Sequence, residues 1–215
     1  MDTTTQWGSV AVVDGGEVLG EVRLRVGSGH SHSAMPAVVF VLEALGLAPL
    51  DVEAYAVASG PGSFTGLRIG IGTVQGLALA SGRPCLGVCS LDVLAARVRG
   101  AAACLVAIMD AYRDEVYAGV YDSEGRLQGS WRTEAPAALV ASLPEDSAFF
   151  GDGALRYRGE ILGLRPRALF PRHSLYLAGT LGLLAEPRLR AGEGGAAAEL
   201  RPLYLRAPHI RPAAG

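Results

Sequence analysis

Residues 58–72, Ala-Ser-Gly-Pro-Gly-Ser-Phe-Thr-Gly-Leu-Arg-Ile-Gly-Ile-Gly, constrain the fold more than any other part of the chain. The apolar run 54–58 feeds into them and reads as a buried strand. The gently apolar segment 67–80 leaves them and reads as a helix. Gly60, Pro61 and Gly62 between the two make a turn that most side chains would not permit. Thr65 is placed to cap the helix with its hydroxyl. Free amides at a helix start attract anions. However, the Lys that a phosphate loop needs is missing from this turn, so a tight strand-to-helix connection is the favoured reading.

On a helical wheel, Leu67, Ile71, Val74 and Ala78 share one side and suit a core. Gly66, Gly70, Thr73, Gly76 and Ala80 form an adjoining stripe of small residues, over which another helix can approach closely. Arg68, Gly72, Gln75 and Leu79 fill the rest, so little of this helix is built for water. Each Gly inside a helix costs roughly 1 kcal/mol against Ala. Gly70, Gly72 and Gly76 therefore need a packing reason.

A second helix, 34–45, has the same character. Met35, Val38, Val39, Leu42 and Leu45 are assigned to its core side. Ala37, Val41 and Ala44 lie outside that stripe and are apolar too, and Glu43 is the only charge. A helix apolar nearly all round is covered on both faces, which predicts a partner protein. Ahead of it, His30 and His32 have no carboxylate or Cys beside them for a metal site. His30 reads as a turn residue and Ser33 as the cap.

The remaining pattern alternates strands and helices. Residues 9–13 and 18–26 form a hairpin around Asp14-Gly15-Gly16. A strand at 84–88 and a helix at 91–98 follow, and the composition breaks at 97–100. Strands at 104–109 and 115–121, a turn at 122–125 and a third run near 127–131 repeat the opening layout, which reads as an internal duplication. A helix at 135–142, a strand at 148–150, a helix at 154–162, a strand at 168–170 and a helix at 174–185 complete the series. The Gly/Ala-rich stretch 191–198 reads as a flexible link. Asp110, Asp114 and Glu115 read as a solvated turn in preference to a metal cluster.

Half the residues are hydrophobic and 19% are charged, which suits a sizeable core. The net charge of -2, without a basic stripe, argues against a protein that holds a nucleic acid alone. The three Cys, at 85, 89 and 104, have no zinc or CxxC spacing and read as reduced core residues. Residues 1–6 have no apolar signal-peptide core, and no apolar run is long enough for a membrane span.

The segment 59–80, with Gly60, Pro61, Gly62, Ser63, Phe64, Thr65, Gly66, Arg68 and Gly70, closely resembles the signature of the bacterial TsaB (YeaZ) family. Asp2-Thr3-Thr4-Thr5 before a hairpin resembles the opening of the actin-like ATPase superfamily. Only Met1 precedes Asp2, so the first strand is expected to be truncated or the start misassigned. Residues 110–117 resemble the family's second motif, with Tyr112 and then Arg113 where relatives carry Arg. Residues 201–206 resemble its closing motif, with Tyr204 as an anchor and Arg206 reaching a carboxylate.

The resemblance implies an α/β fold of two ribonuclease-H-like halves of actin-like type, with mixed sheets flanked by helices. An N-terminal half at 1–100 would carry the partner helices, and a C-terminal half would span 101–215. It further implies a cytoplasmic, non-catalytic scaffold that binds TsaD, with TsaE, for threonylcarbamoyladenosine (t6A) formation at adenosine 37 of tRNAs reading ANN codons. A homodimer would use the same surface, for which Ala37, Val41, Ala44, Arg68, Gly72, Gln75 and Leu79 are the candidates. ATP and threonylcarbamoyl-adenylate would be used by the complex, with no cofactor in the isolated chain. Asp2 and Thr3 would be a vestigial phosphate motif, because Asp110-Ala111-Tyr112-Arg113 cannot supply a second backbone cradle. A residual actin-like ATPase or kinase, and a protease, are the alternatives.

Overall fold

The computed structural model describes residues 1–26 and 29–206 of the chain. The last nine residues of the expected C-terminal half therefore lie outside the described residues. The fold is mixed α/β.

β1 (Trp7–Asp14) and β2 (Glu17–Arg25) form the expected antiparallel hairpin. Its two loop residues, Gly15 and Gly16, both have positive φ (60° and 81°), as a tight hairpin of this twist demands. α1 (Ala34–Ala44) follows, then β3 (Tyr55–Gly60), α2 (Phe64–Ser81), β4 (Cys85–Cys89) and α3 (Ser90–Ala96). β3 and β4 pair in parallel.

Among the described residues, the two strand pairs are separate, and residues 1 and 2 lie between them. Met1 donates its amino group to the Ala56 carbonyl at 2.8 Å and accepts from the Ala58 amide at 3.0 Å. Asp2 exchanges two backbone hydrogen bonds with Ser9, at 2.8 and 2.9 Å. Residues 1 and 2 thus stand as a two-residue stub between β1 and β3.

The second sheet has the order β7-β6-β5-β8. β5 (Cys104–Asp110), β6 (Val116–Asp122) and β7 (Arg132–Glu134) are antiparallel neighbours, and β8 (Ala148–Phe150) is parallel to β5. The third strand lies at 132–134 and not near 127–131, where only Leu127 bridges to Tyr121. α4 (Pro136–Ala141) precedes β8. The helix expected at 154–162 is split into α5 (Asp152–Arg156) and α6 (Arg158–Leu164). The run at 168–170 contributes a single bridge, from Leu169 to Ala148.

α7 (Ala178–Arg190) starts later than expected and packs on β1, β2, β3 and β4. Its Glu186 carboxylate accepts from the amides of Gly15 and Gly16, both at 2.9 Å. Residues 191–200 also differ from the expected free link. Gly195 pairs with Cys85, and Ala197–Glu199 form a 3-10 turn. Residues 195–203 thus return to the first half.

Residues of β3 alternate between two cores. Val57 faces α1 and α2, in a cluster with Met1, Val41, Ile71 and Val74. Ala58 faces α3 and α7, in a cluster with Leu91, Leu177 and Leu181. A third cluster, around Val106, Ile108 and Phe149, fills the far side of the second sheet.

Candidate interaction site

Ser63, not Thr65, caps α2: its hydroxyl accepts from the Gly66 amide at 3.3 Å. Thr65 lies in the first turn and is exposed. The Ser63 amide in turn donates to the Thr4 carbonyl at 2.7 Å. The glycines of the signature explain themselves here. A Cβ at Gly62 would come within 3.0 Å of Thr4, and one at Gly66 or Gly70 would do the same to Thr3. A Cβ at Gly60 would meet the Leu203 carbonyl equally closely. The Gly-rich turn and the first turns of α2 are therefore pressed onto the segment 2–5 and onto the returning C-terminal strap. The Thr3 hydroxyl completes the contact by donating to the Gly66 carbonyl at 2.8 Å.

This packing decides what the Asp2–Thr3 motif can do. Asp2 is 0% exposed, and its Oδ1 accepts from the Thr4 amide and hydroxyl at 2.9 and 2.7 Å. Burial raises its pKa, and the Thr4 bonds oppose the rise. Thr3 and Thr4 are buried as well. A phosphate would have to displace the start of α2 to reach them, so these residues do not fit a nucleotide.

The corresponding turn in the second sheet, between β5 and β6, is no better a cradle. Tyr112, Arg113 and Asp114 all have left-handed φ (59°, 56° and 59°). Asp110 accepts from Arg156 at 2.6 Å and from the Tyr112 amide at 3.0 Å. Glu115 is paired with Arg206, as expected of that Arg. Tyr204 is anchored on Phe64, with ring centroids 5.5 Å apart. Among the described residues, no group of three His, Cys, Asp or Glu side chains could hold a metal.

Asp152, at the start of α5, gives a testable pH dependence. Burial pushes its carboxyl up to about 6, and the Asp110 charge adds to the shift. The folded pKa lies above the ordinary value of 3.8, so this group weakens the fold as pH rises through about 6. Its side chain is partly accessible, which keeps the effect to about 1–2 kcal/mol. Asp152→Asn should therefore stabilise the chain at pH 8 and change little at pH 4. Urea unfolding at the two pH values measures the difference; equal shifts at both would refute the assignment.

The two helices present an exposed apolar surface, but its membership differs from the expected one. Gly72, Leu79, Ala44 and Arg68 are exposed as expected. Ala37 and Val41 are not: they are buried in the core beside Val57 and Ile71, and Val41 closes over Gly20 of β2. Gln75 is turned toward the C-terminal strap, where its amide donates to the carbonyls of Ala197 and Leu200 at 3.0 and 3.2 Å. In their place stand Met35, Val39 and Phe40, with Phe40 63% exposed. Leu79 on α2 is 78% exposed. The sequence did hold a signal for Val39 and Phe40. They lie four and three residues before Glu43, the only charge of α1, and so share its side.

Arg68 stacks over Phe64 at 4.0 Å, which holds a cation at the edge of this surface. His30 and His173 are both engaged with backbone. His30 Nε2 lies 2.6 Å from the Thr5 carbonyl, and His173 Nε2 accepts from the Gly151 amide at 3.0 Å. Ser33 sits at the cap position of α1, but its hydroxyl donates back to the His30 carbonyl.

Comparison with known proteins adds an independent line. Residues 24–139 match the family described as "TsaD: tRNA N6-adenosine threonylcarbamoyltransferase". The chain is 38% identical over 143 residues to the tRNA threonylcarbamoyladenosine biosynthesis protein TsaB of Escherichia coli (strain K12), covering 65% of this chain and 60% of that one. It is 36% identical over 127 residues to the TsaB protein of Bacillus subtilis (strain 168), covering 59% and 56%. The chain thus spans less than two thirds of these curated relatives. The solved structure of YeaZ from Pseudomonas aeruginosa superimposes with a TM-score of 0.79 at 36% identity, covering 95% of this chain and 97% of that one.

Proposed function

This chain belongs to the TsaB (YeaZ) branch of the TsaD family, and from that premise we propose that it is a non-catalytic scaffold and activator in t6A formation. Its partners are the family's TsaD and TsaE proteins and a second copy of itself, in the cytoplasm. ATP and threonylcarbamoyl-adenylate are handled by the complex, and tRNA meets this chain only there. Among the described residues, no helix is long and apolar enough to cross a membrane.

The observation that carries this reading is a contrast within the first half. Its phosphate-like segment is packed shut, while the adjacent helices α1 and α2 leave Phe40 and Leu79 in water. Apolar exposure of that kind marks a docking surface. We further infer two ribonuclease-H-like halves. With the stub counted, the first half runs β2, β1, stub, β3, β4, and the second runs β7, β6, β5, β8. The repeated order supports a duplication, with halves near 1–100 and 101–215 apart from the returning strap.

Reconstitution tests the proposal. With TsaD, TsaE, ATP and a substrate tRNA, addition of this chain should raise t6A formation from background, read by nucleoside mass spectrometry. The isolated chain should show no ATP turnover above background and no gel shift with tRNA at physiological salt. Saturable ATP hydrolysis that Asp2→Asn removes would establish the ATPase reading instead.

A further inference from the structure

Three planar side chains are stacked at the start of α2. The Arg68 guanidinium lies 4.0 Å over the Phe64 ring. The Phe64 and Tyr204 rings follow, with 5.5 Å between centroids and 30° between planes. Anchoring the strap accounts for the contact between the two rings. It does not account for what is left in water: Phe64 stays 38% exposed, Tyr204 37%, and Arg68 is exposed as well. A ring that served only as an anchor would be buried.

The stack runs on to the turn between β5 and β6. Two residues beyond Tyr204, Arg206 donates to the Ala111 carbonyl at 3.3 Å and pairs with Glu115. Next to Ala111 stands Tyr112, 62% exposed. It heads the three successive non-glycine residues with left-handed φ, a conformation that costs each of them free energy that Gly would be spared. The turn bears that strain while it holds an aromatic ring and the Arg113 side chain out in water. Strain kept beneath an exposed aromatic residue points to binding and not to packing.

Charge along this line is positive, in a chain whose net charge is -2. Arg68, Arg113 and Arg201 are exposed, and none of the ion pairs among the described residues includes them. Arg206 and Glu115 offset each other. Asp114 opposes the cations, but its charge is shared with Arg156. Exposed ring faces set among unpaired guanidinium groups fit unpaired nucleobases for the rings and phosphates for the cations. An acidic peptide would use the cations and leave the rings bare, and a duplex keeps its base faces stacked inward.

We propose that the line from Arg68 through Phe64, Tyr204 and Tyr112 to Arg113 is a track for unpaired RNA; given the t6A reading, on which this identification rests, the RNA is an unpaired stretch of the substrate tRNA. So few rings and cations do not hold RNA alone at physiological salt, so the track acts on tRNA that the complex has already gathered. Arg68 stands at the edge of the α1–α2 face, which sets the RNA along the border of the docked partner.

Ultraviolet crosslinking, followed by mass spectrometry of the digested chain, tests the track. In the complex with TsaD, TsaE and a substrate tRNA, nucleotide adducts should fall on the peptides that hold Phe64, Tyr112 and Tyr204. At about 20 mM salt, the isolated chain should give the same adducts with a single-stranded oligoribonucleotide and none with that strand in a duplex. Tyr204→Leu keeps an apolar group on Phe64 and removes the ring; Tyr112→Ala with Arg113→Gln removes the other end. Each variant should raise the KM for tRNA at least about fivefold, with TsaD capture and the melting point unchanged. Adducts confined to other peptides, or none at all, overturn the proposal. Equal crosslinking to duplex and single strand overturns it too. So does loss of TsaD capture at unchanged tRNA binding, which would make the line a protein interface. If the complex forms no t6A, the functional reading fails by itself, and the low-salt adducts of the isolated chain still decide the track.

Discussion

Gly72→Arg should reduce self-association and TsaD capture by at least about a hundredfold and leave the thermal melt unchanged. Gly72 lies on the exposed side of α2, and nothing stands within 4 Å of the position its Cβ would take. An Arg there fits the free chain without displacing Leu67, Ile71 or Val74, which are buried on the other side. In a docked complex the same cation must lose its water. An unpaired charge buried in an interface costs several kcal/mol, and each 1.4 kcal/mol is tenfold in affinity. Phe40→Asp on α1 should act in the same direction, because an apolar anchor is lost and a charge introduced. Sedimentation velocity and pull-down with TsaD measure the loss beside a melt. If both variants fold, dimerise and capture TsaD normally, the α1–α2 face is not the docking surface.

A single methyl group at Gly66 should do the opposite: weaken the fold without touching that face. The added Cβ would overlap the Thr3 carbonyl, which is backbone held by Asp2, Thr4 and α2. Nothing flexible can move aside, so the start of α2 must lift from the segment 2–5. Gly66→Ala should then cost at least about 3 kcal/mol, with a melting point lower by roughly 6–12 °C. Gly76→Ala is the matched control. Gly76 has open space at its Cβ position inside the same helix, so Ala there should stabilise by up to about 1 kcal/mol. If the two substitutions prove equal, close approach is not what the signature glycines serve.

These glycines show where the sequence was legible and where it was not. The turn at 60–63 and the helix after it follow from local rules, as does the Gly15-Gly16 hairpin, since both depend on backbone freedom within a few residues. Which glycine meets which neighbour depended on Thr3, Thr4 and Leu203, which are distant in sequence. Gly70 has a packing reason, whereas Gly72 and Gly76 face open space. The faces of α1 were misassigned for a related reason. A helix apolar on every side carries almost no phase information, so Ala37 and Val41 looked outward when they are in the core. The β7 strand was missed because three residues, Arg-Thr-Glu, give no alternation to read. The Arg206–Glu115 pair was legible only as an Arg in search of a carboxylate.

The returning strap bears on how this protein is made. Leu203 donates to the Ser59 carbonyl at 2.7 Å, Gly195 exchanges two bonds with Cys85, and α7 covers the strands of the first half. These contacts join residues about ninety or more positions apart. During synthesis, β3 and β4 emerge from the ribosome long before the segment that covers them. At about 5–20 residues per second, the first half waits several seconds or more with one sheet face and the β4 edge bare. The strands of the second sheet, β5 to β8, pair among themselves within a contiguous stretch, although the sheet's inner face also takes up Leu177 and Leu181 and its β5–β6 turn takes up Arg206. The half translated last therefore pairs its strands as soon as they emerge, whereas the half translated first closes only when the strap has been made.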